Sequence, residues 1–160
     1  MKIYLMPILG ILILLGAGCK KEEIMPAATS SDYLIFGHFY GFCQGERCVE
    51  IFKLDDSTLQ EDILDIYPDR TKFYVASYKS LAATKFEAVK DLRTNFPTEL
   101  LSEQDTVLGQ PDASDGGGLY IEYKSGTVHK FWIIDQFKTN VPSKYHGFMD
   151  KVNEKIALLQ

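Results

Sequence analysis

Three side chains able to hold a soft metal ion lie close together in "HFYGFCQGERC". His38, Cys43 and Cys48 are spaced by five, and His129 or His146 could add a fourth ligand. Zinc accepts such a set in a tetrahedron. The same two cysteines can instead bond to each other. Four residues separate them, and a hairpin tip bridges that gap when the Cα atoms come within about 7 Å. A redox dithiol fits less well, because the spacing is not Cys-x-x-Cys and no βαβ pattern surrounds it. His38 sits in an alternating apolar run, where a hydrogen-bonded histidine on a sheet face is the commoner arrangement. The disulfide is therefore the expectation, with free thiols and a metal centre on His38, Cys43 and Cys48 as its alternatives. Tyr40, Phe42, Gln44 and Arg47, in and beside the same tip, are the candidate binding surface, since exposed aromatics often mark such surfaces.

Other chemistry is thinly represented. Residues 55–69 carry six acidic side chains, and "DASDGGG" at 112–118 adds two more. Calcium needs six to eight oxygens in a defined loop. Neither stretch has that alternating spacing, so a solvated face and a glycine turn are the expectations. Gly-x-Ser-x-Gly, His-Glu-x-x-His and a phosphate-cradling loop before lysine are all missing from the sequence. Three histidines and many carboxylates can always be assembled into a triad on paper, and only geometry could justify one. The reading is non-catalytic, with no cofactor and no metal expected.

The compartment comes from the N-terminus. "MKIYLMPILGILILLGAGC" opens with Lys2, runs apolar from Ile3 to Leu15 with Pro7 and Gly10 as its breaks, and closes on Gly16, Ala17 and Gly18. The run is shorter than the roughly 20 residues of a membrane-spanning helix. Basic start, short apolar middle and small-residue end describe a signal peptide over residues 1–18. "LGAGC" resembles the lipobox of bacterial lipoproteins, in a looser form familiar from the Bacteroidetes, with Leu15 one place further upstream than usual. The resemblance implies that Cys19 becomes the acylated first residue of the mature chain, carrying two or three acyl chains, enough for a stable anchor. "KKEE" at 20–23 resembles the short export signal of Bacteroidetes surface lipoproteins. It implies the outer face of the outer membrane, against the plainer reading of a solvated tether.

With the leader removed, 142 residues remain, enough for one domain with a real core. They hold 16 basic against 22 acidic residues, a formal charge of −6. Nucleic-acid binding depends on clustered Lys and Arg; no basic stripe is present, so no nucleic-acid partner is expected. Cys43 and Cys48 are an even remainder in an exported chain, where a disulfide persists.

The elements that must position the tip follow from periodicity. Residues 20–32 read as a polar tether behind Cys19, and the folded domain occupies 33–160. "YLIFGHFYGF" and "CVEIFKLD" predict a hairpin with "CQGERC" at its tip. The acidic stretch predicts either a short strand with a loop or a helical turn capped by Ser57. "TKFYVASY" predicts a strand, and Leu81, Phe86, Val89, Leu92 and Phe96 predict an amphipathic helix from 80 to 96, stopped by Pro97. "GLYIEYKSGTVHKFWIID" predicts a second hairpin turning at Ser125-Gly126. Tyr145, Phe148, Val152, Ile156 and Leu159 predict a closing helix.

The sum is an α+β domain: an antiparallel sheet of about five strands, one face covered by two helices. Tyr33, Phe36, Phe39, Tyr40 and Phe42 crowd the first strand, so some of these rings should be exposed or lie under loops. The order of elements, with "FGHFYGFCQGERC" and "VPSKYHGF", resembles small domains of Bacteroidetes lipoproteins over residues 33–159. That resemblance carries no catalytic residues. The expected role is a binding or interaction module at the outer membrane surface, held to the membrane by its lipid anchor and taking a protein or small-molecule ligand.

Overall fold

A computed structural model describes residues 32–160. The expectations for the signal peptide, for Cys19 and for the tether through residue 31 lie outside the described residues.

Among the described residues seven strands form one sheet: β1 (Tyr33–Phe39), β2 (Val49–Leu54), β3 (Leu59–Asp62), β4 (Tyr78–Ser80), β5 (Val107–Leu108), β6 (Gly118–Ser125) and β7 (Val128–Asp135). Their order is β4-β3-β2-β1-β6-β7-β5. All pairings are antiparallel except β5 with β7. The expected five antiparallel strands are thus seven in a mixed sheet. The difference lies in the short edge strands β4 and β5, which are too brief to leave an alternating signature. The second hairpin forms as expected, one position later: Ser125 pairs with Val128, so Gly126 and Thr127 make the turn, and Gly126 takes φ 55°. A two-residue hairpin needs positive φ, which glycine adopts without steric penalty.

The helices are α1 (Ala83–Val89) and α2 (His146–Leu159). The helix expected to reach residue 96 is therefore short. It tightens into a 3₁₀ turn at Lys90–Leu92, and a second 3₁₀ turn follows at Thr98–Ser102. Leu92 and Phe96 still join the core, which is why their spacing read as helical.

Both helices cover one face, as expected. Leu34, Phe36, Phe52, Ile121, Trp132 and Ile134 from the sheet pack there against Val89, Met149, Val152 and Ile156. The other face is also buried. Residues 63–77, between β3 and β4, fold across it as an irregular strap whose neck is closed by the Ile63 N–H donating to the Ser77 carbonyl. Ile35, Phe39, Ile51, Tyr120, Phe131 and Ile133 form this second core with Tyr74 and Tyr78. "TKFYVASY" therefore contributes mostly strap, and only its last residue enters β4. The Ser57-capped helical turn does not form. The Asp55 carboxylate instead accepts the backbone N–H groups of Ser57 and Thr58 in a turn that leads into β3.

Candidate functional site

The tip grows directly from the β1–β2 pairing. Tyr40 extends the ladder by donating its N–H to the Cys48 carbonyl at 2.8 Å. Gly45 then reverses the chain with φ 109°, a conformation glycine alone adopts freely, ahead of a 3₁₀ turn at Glu46–Cys48. Cys43 and Cys48 meet in disulfide geometry, Cα atoms 5.5 Å apart. His38 lies beneath the loop, 8% exposed, with Nε2 3.0 Å from the Arg47 carbonyl and 3.3 Å from Glu50 Oε2. Its ring rests 5.1 Å from that of Tyr40. His38 thus braces the tip from below.

The four candidate binding residues divide. Phe42 is 85% exposed, and Gln44 and Arg47 are exposed beside it. Tyr40 is half-buried, wedged between His38 and the backbone of Gly117, whose own Cβ, were it present, would collide with the tyrosine ring. A shallow hollow of about 220 Å³ lies along Gly41, Phe42, Cys43 and Gln44.

The metal alternative finds no support here. Both sulfurs are used by each other, His129 lies on the strap side of the sheet, and His146 Nε2 is 2.9 Å from the Val141 carbonyl. Among the described residues no group of three His, Cys, Asp or Glu side chains could hold a metal ion. The acidic loops serve turns instead. Asp112 accepts the N–H groups of Gly41 and Gly117 and the Tyr67 hydroxyl, tying the tip to the loop before β6 and to the strap. Burial and that bond to Asp112 push the Tyr67 phenol up to about 12.

One cluster escaped the sequence reading. Glu122, on β6, has a side chain only 3% exposed beneath the strap. It accepts the Tyr33 hydroxyl at 3.0 Å and the Tyr120 hydroxyl at 2.6 Å, and lies 2.8 Å from His129 Nε2. The Tyr120 oxygen accepts the Tyr74 N–H, and the Tyr74 hydroxyl donates to Asp62. Phe73 stacks on His129 at 3.9 Å. Burial first, then the Glu122 charge, holds the Tyr33 and Tyr120 phenols far above their ordinary range. A buried carboxylate is tolerable only when its oxygens are satisfied in this way. Tyr78 has the one buried hydroxyl among the described residues without a partner.

A histidine oriented by a buried carboxylate is half of a nucleophilic triad. Among the described residues the side chains bonded to the His129 ring are Glu122 and Tyr33, both at Nε2. The cluster fastens the strap to the sheet. Its signal was present in "LYIEY", where Glu122 occupies the same face as Tyr120 in an alternating run.

No family model matches this chain, and no curated protein matches it.

Proposed function

We propose that this chain is a lipid-anchored cell-envelope protein, attached through Cys19 to the outer membrane and displayed at the cell surface, whose domain is a non-catalytic binding module. One observation carries the reading, the position of the tip relative to the point where the tether enters. Asp32 accepts bonds from Ser125 Oγ and the Gly126 N–H at the β6–β7 turn. The tip lies at the opposite end of β1, beyond Phe39. Seven strand residues at about 3.3 Å each put these ends more than 20 Å apart. A domain tethered at Asp32 therefore carries Phe42 on its far side, on a loop braced by a disulfide. A rigid exposed ring suits protein recognition. The hollow beside it is smaller than the roughly 300–1,000 Å³ of small-molecule sites, so the partner is a protein.

Two experiments test this reading. Replacing Cys19 by Ala should abolish acyl labelling; a variant labelled normally would refute the anchor. Phe42→Ala should alter stability by less than about 0.5 kcal/mol, as for an exposed position, while abolishing crosslinks formed from the tip in intact cells. Unaltered crosslinks would refute the binding role. Tyr40→Ala is the poorer probe, because that ring also packs inside the loop.

A further inference from the structure

The tip is pinned at both shoulders by contacts that do not involve its sulfurs. On the first, the Gly41 N–H donates to the Asp112 carboxylate at 2.9 Å and the Tyr40 N–H to the Cys48 carbonyl at 2.8 Å. On the second, the Arg47 carbonyl lies 3.0 Å from His38 Nε2. Between them the chain is exposed, and the Cys43–Cys48 bond closes the loop that carries Phe42. A longer bond, 3.2 Å from the Cys48 N–H to the Gly45 carbonyl, adds to that closure. The two sulfurs differ in access. Cys43 is exposed and borders the hollow along Gly41, Phe42 and Gln44, whereas Cys48 is half-buried. By linkage, what the bond adds to folding is what folding adds to the bond, and for a loop this short that is a factor of about thirty. Exposed disulfides are the labile ones, while structural disulfides resist the glutathione pool.

We propose that the Cys43–Cys48 bond is a redox switch that sets whether Phe42 is held or released, and that a dithiol protein of the envelope opens it. One thiolate of that protein attacks Cys43 Sγ, the accessible sulfur. A mixed disulfide forms there, the bond to Cys48 breaks, and the Cys48 thiolate takes up a proton. The second thiol of the dithiol protein, as its thiolate, then displaces Cys43. That protein leaves as a disulfide and the tip as two thiols, so two electrons and two protons pass to this chain. Opening acts on residues 42–46, since the Asp112 and His38 contacts hold on either side and both cores lie elsewhere. A freed loop must be ordered again before Phe42 can bind, and that entropy weakens capture. The effect on binding rests on the tip reading; the opening of the bond does not.

The test is equilibration of the full-length chain, purified with its anchor in a non-ionic detergent, with reduced and oxidised glutathione, followed by alkylation and tryptic mapping. Trypsin cuts after Arg47, between the two cysteines, so each is read separately. The expected result is opening by reduced glutathione, with the mixed disulfide carried on Cys43. Hydrogen exchange should then quicken at residues 42–46 while thermal melting stays cooperative. Reduced glutathione added outside intact cells should lower tip crosslinks about tenfold. Cys43→Ser with Cys48→Ser should reproduce that loss without any reductant. A bond that withstands glutathione, and yields to dithiothreitol only after denaturation, overturns the proposal. So does an adduct on Cys48 in place of Cys43, opening that melts the domain, or crosslinks that Phe42→Ala abolishes and opening leaves intact. Should Phe42→Ala leave them intact as well, the tip reading is what falls, and the glutathione and exchange results still decide the switch.

Discussion

At the scale of single residues, burial separates bracing from display. His38 and Phe42 are four positions apart, yet one is held under the tip and the other is almost wholly exposed. Glu122 is the residue whose loss should matter most. Replacing it by Ala leaves the buried Tyr120 hydroxyl without its acceptor and removes a partner from the half-buried Tyr33 and the exposed His129, and should destabilise the protein by about 2 kcal/mol. Glu122→Gln keeps the shape and an acceptor and should cost about half as much, with urea unfolding as the measurement. Cys43 and Cys48 were readable as a pair from spacing and compartment. The exposure of Phe42 and the burial of Tyr40 were not, because both sit in the same aromatic run and only the loop before β6 decides between them. Glu122 was legible in principle, since an acid in an inward position of an alternating strand demands partners. One partner, Tyr120, stands two residues away on the same face, but Tyr33 comes from β1 and His129 from β7, and nothing local announces those two.

Among the elements, what read correctly was what repeats. The two hairpins and α2 each extend over enough residues for period to identify them, and they came out as expected. β4, β5 and the truncated α1 are set by tertiary contacts, so local propensity could not find them. The junction between α2 and the turn following α1 is ionic. Asp91, in that turn, accepts from Lys155 Nζ at 2.7 Å and Lys151 Nζ at 3.2 Å, while Lys155 also reaches the Ala88 carbonyl. The hydrogen bond from Lys155, ahead of other causes, holds the Asp91 carboxyl below its ordinary 3.8. The folded protein then binds that proton less readily than the unfolded chain. The contribution is accordingly complete above about pH 5 and disappears as pH falls through the lowered value. The Asp91 side chain is 45% exposed, so solvent screening limits the effect to less than about 1 kcal/mol. Asp91→Asn should remove this part of the acid sensitivity, seen as a smaller difference between melting temperatures at pH 7 and pH 3.

For the whole molecule, the anticipated two-layer domain gained a third layer, because a segment without regular structure covers the second face. Its acidic composition had pointed to solvent. Its apolar residues, Ile63 to Val75, lacked a period that would reveal an inner and an outer side. The disulfide lies outside both cores, so removing it should loosen the tip and leave the domain folded. Cys43→Ser with Cys48→Ser should lower stability by about 2 kcal/mol, as expected of so short a loop. Residues 20–160, which hold Cys43 and Cys48 alone, should weigh two hydrogens less than their reduced form and resist alkylation. The place of β1 has a further, kinetic consequence. It is the first strand of the domain, yet it lies in the middle of the sheet, and Tyr33 bonds to Glu122, 89 residues later. A chain that emerges N-terminus first can close β1 on β2 at once, while the other edge of β1 must wait for β6. Such distant pairing is slow, and an open apolar edge invites association with other chains in the meantime. For this domain, then, the hazard of misassembly is greatest in the interval before residue 118 emerges, when its best-buried strand is only half paired.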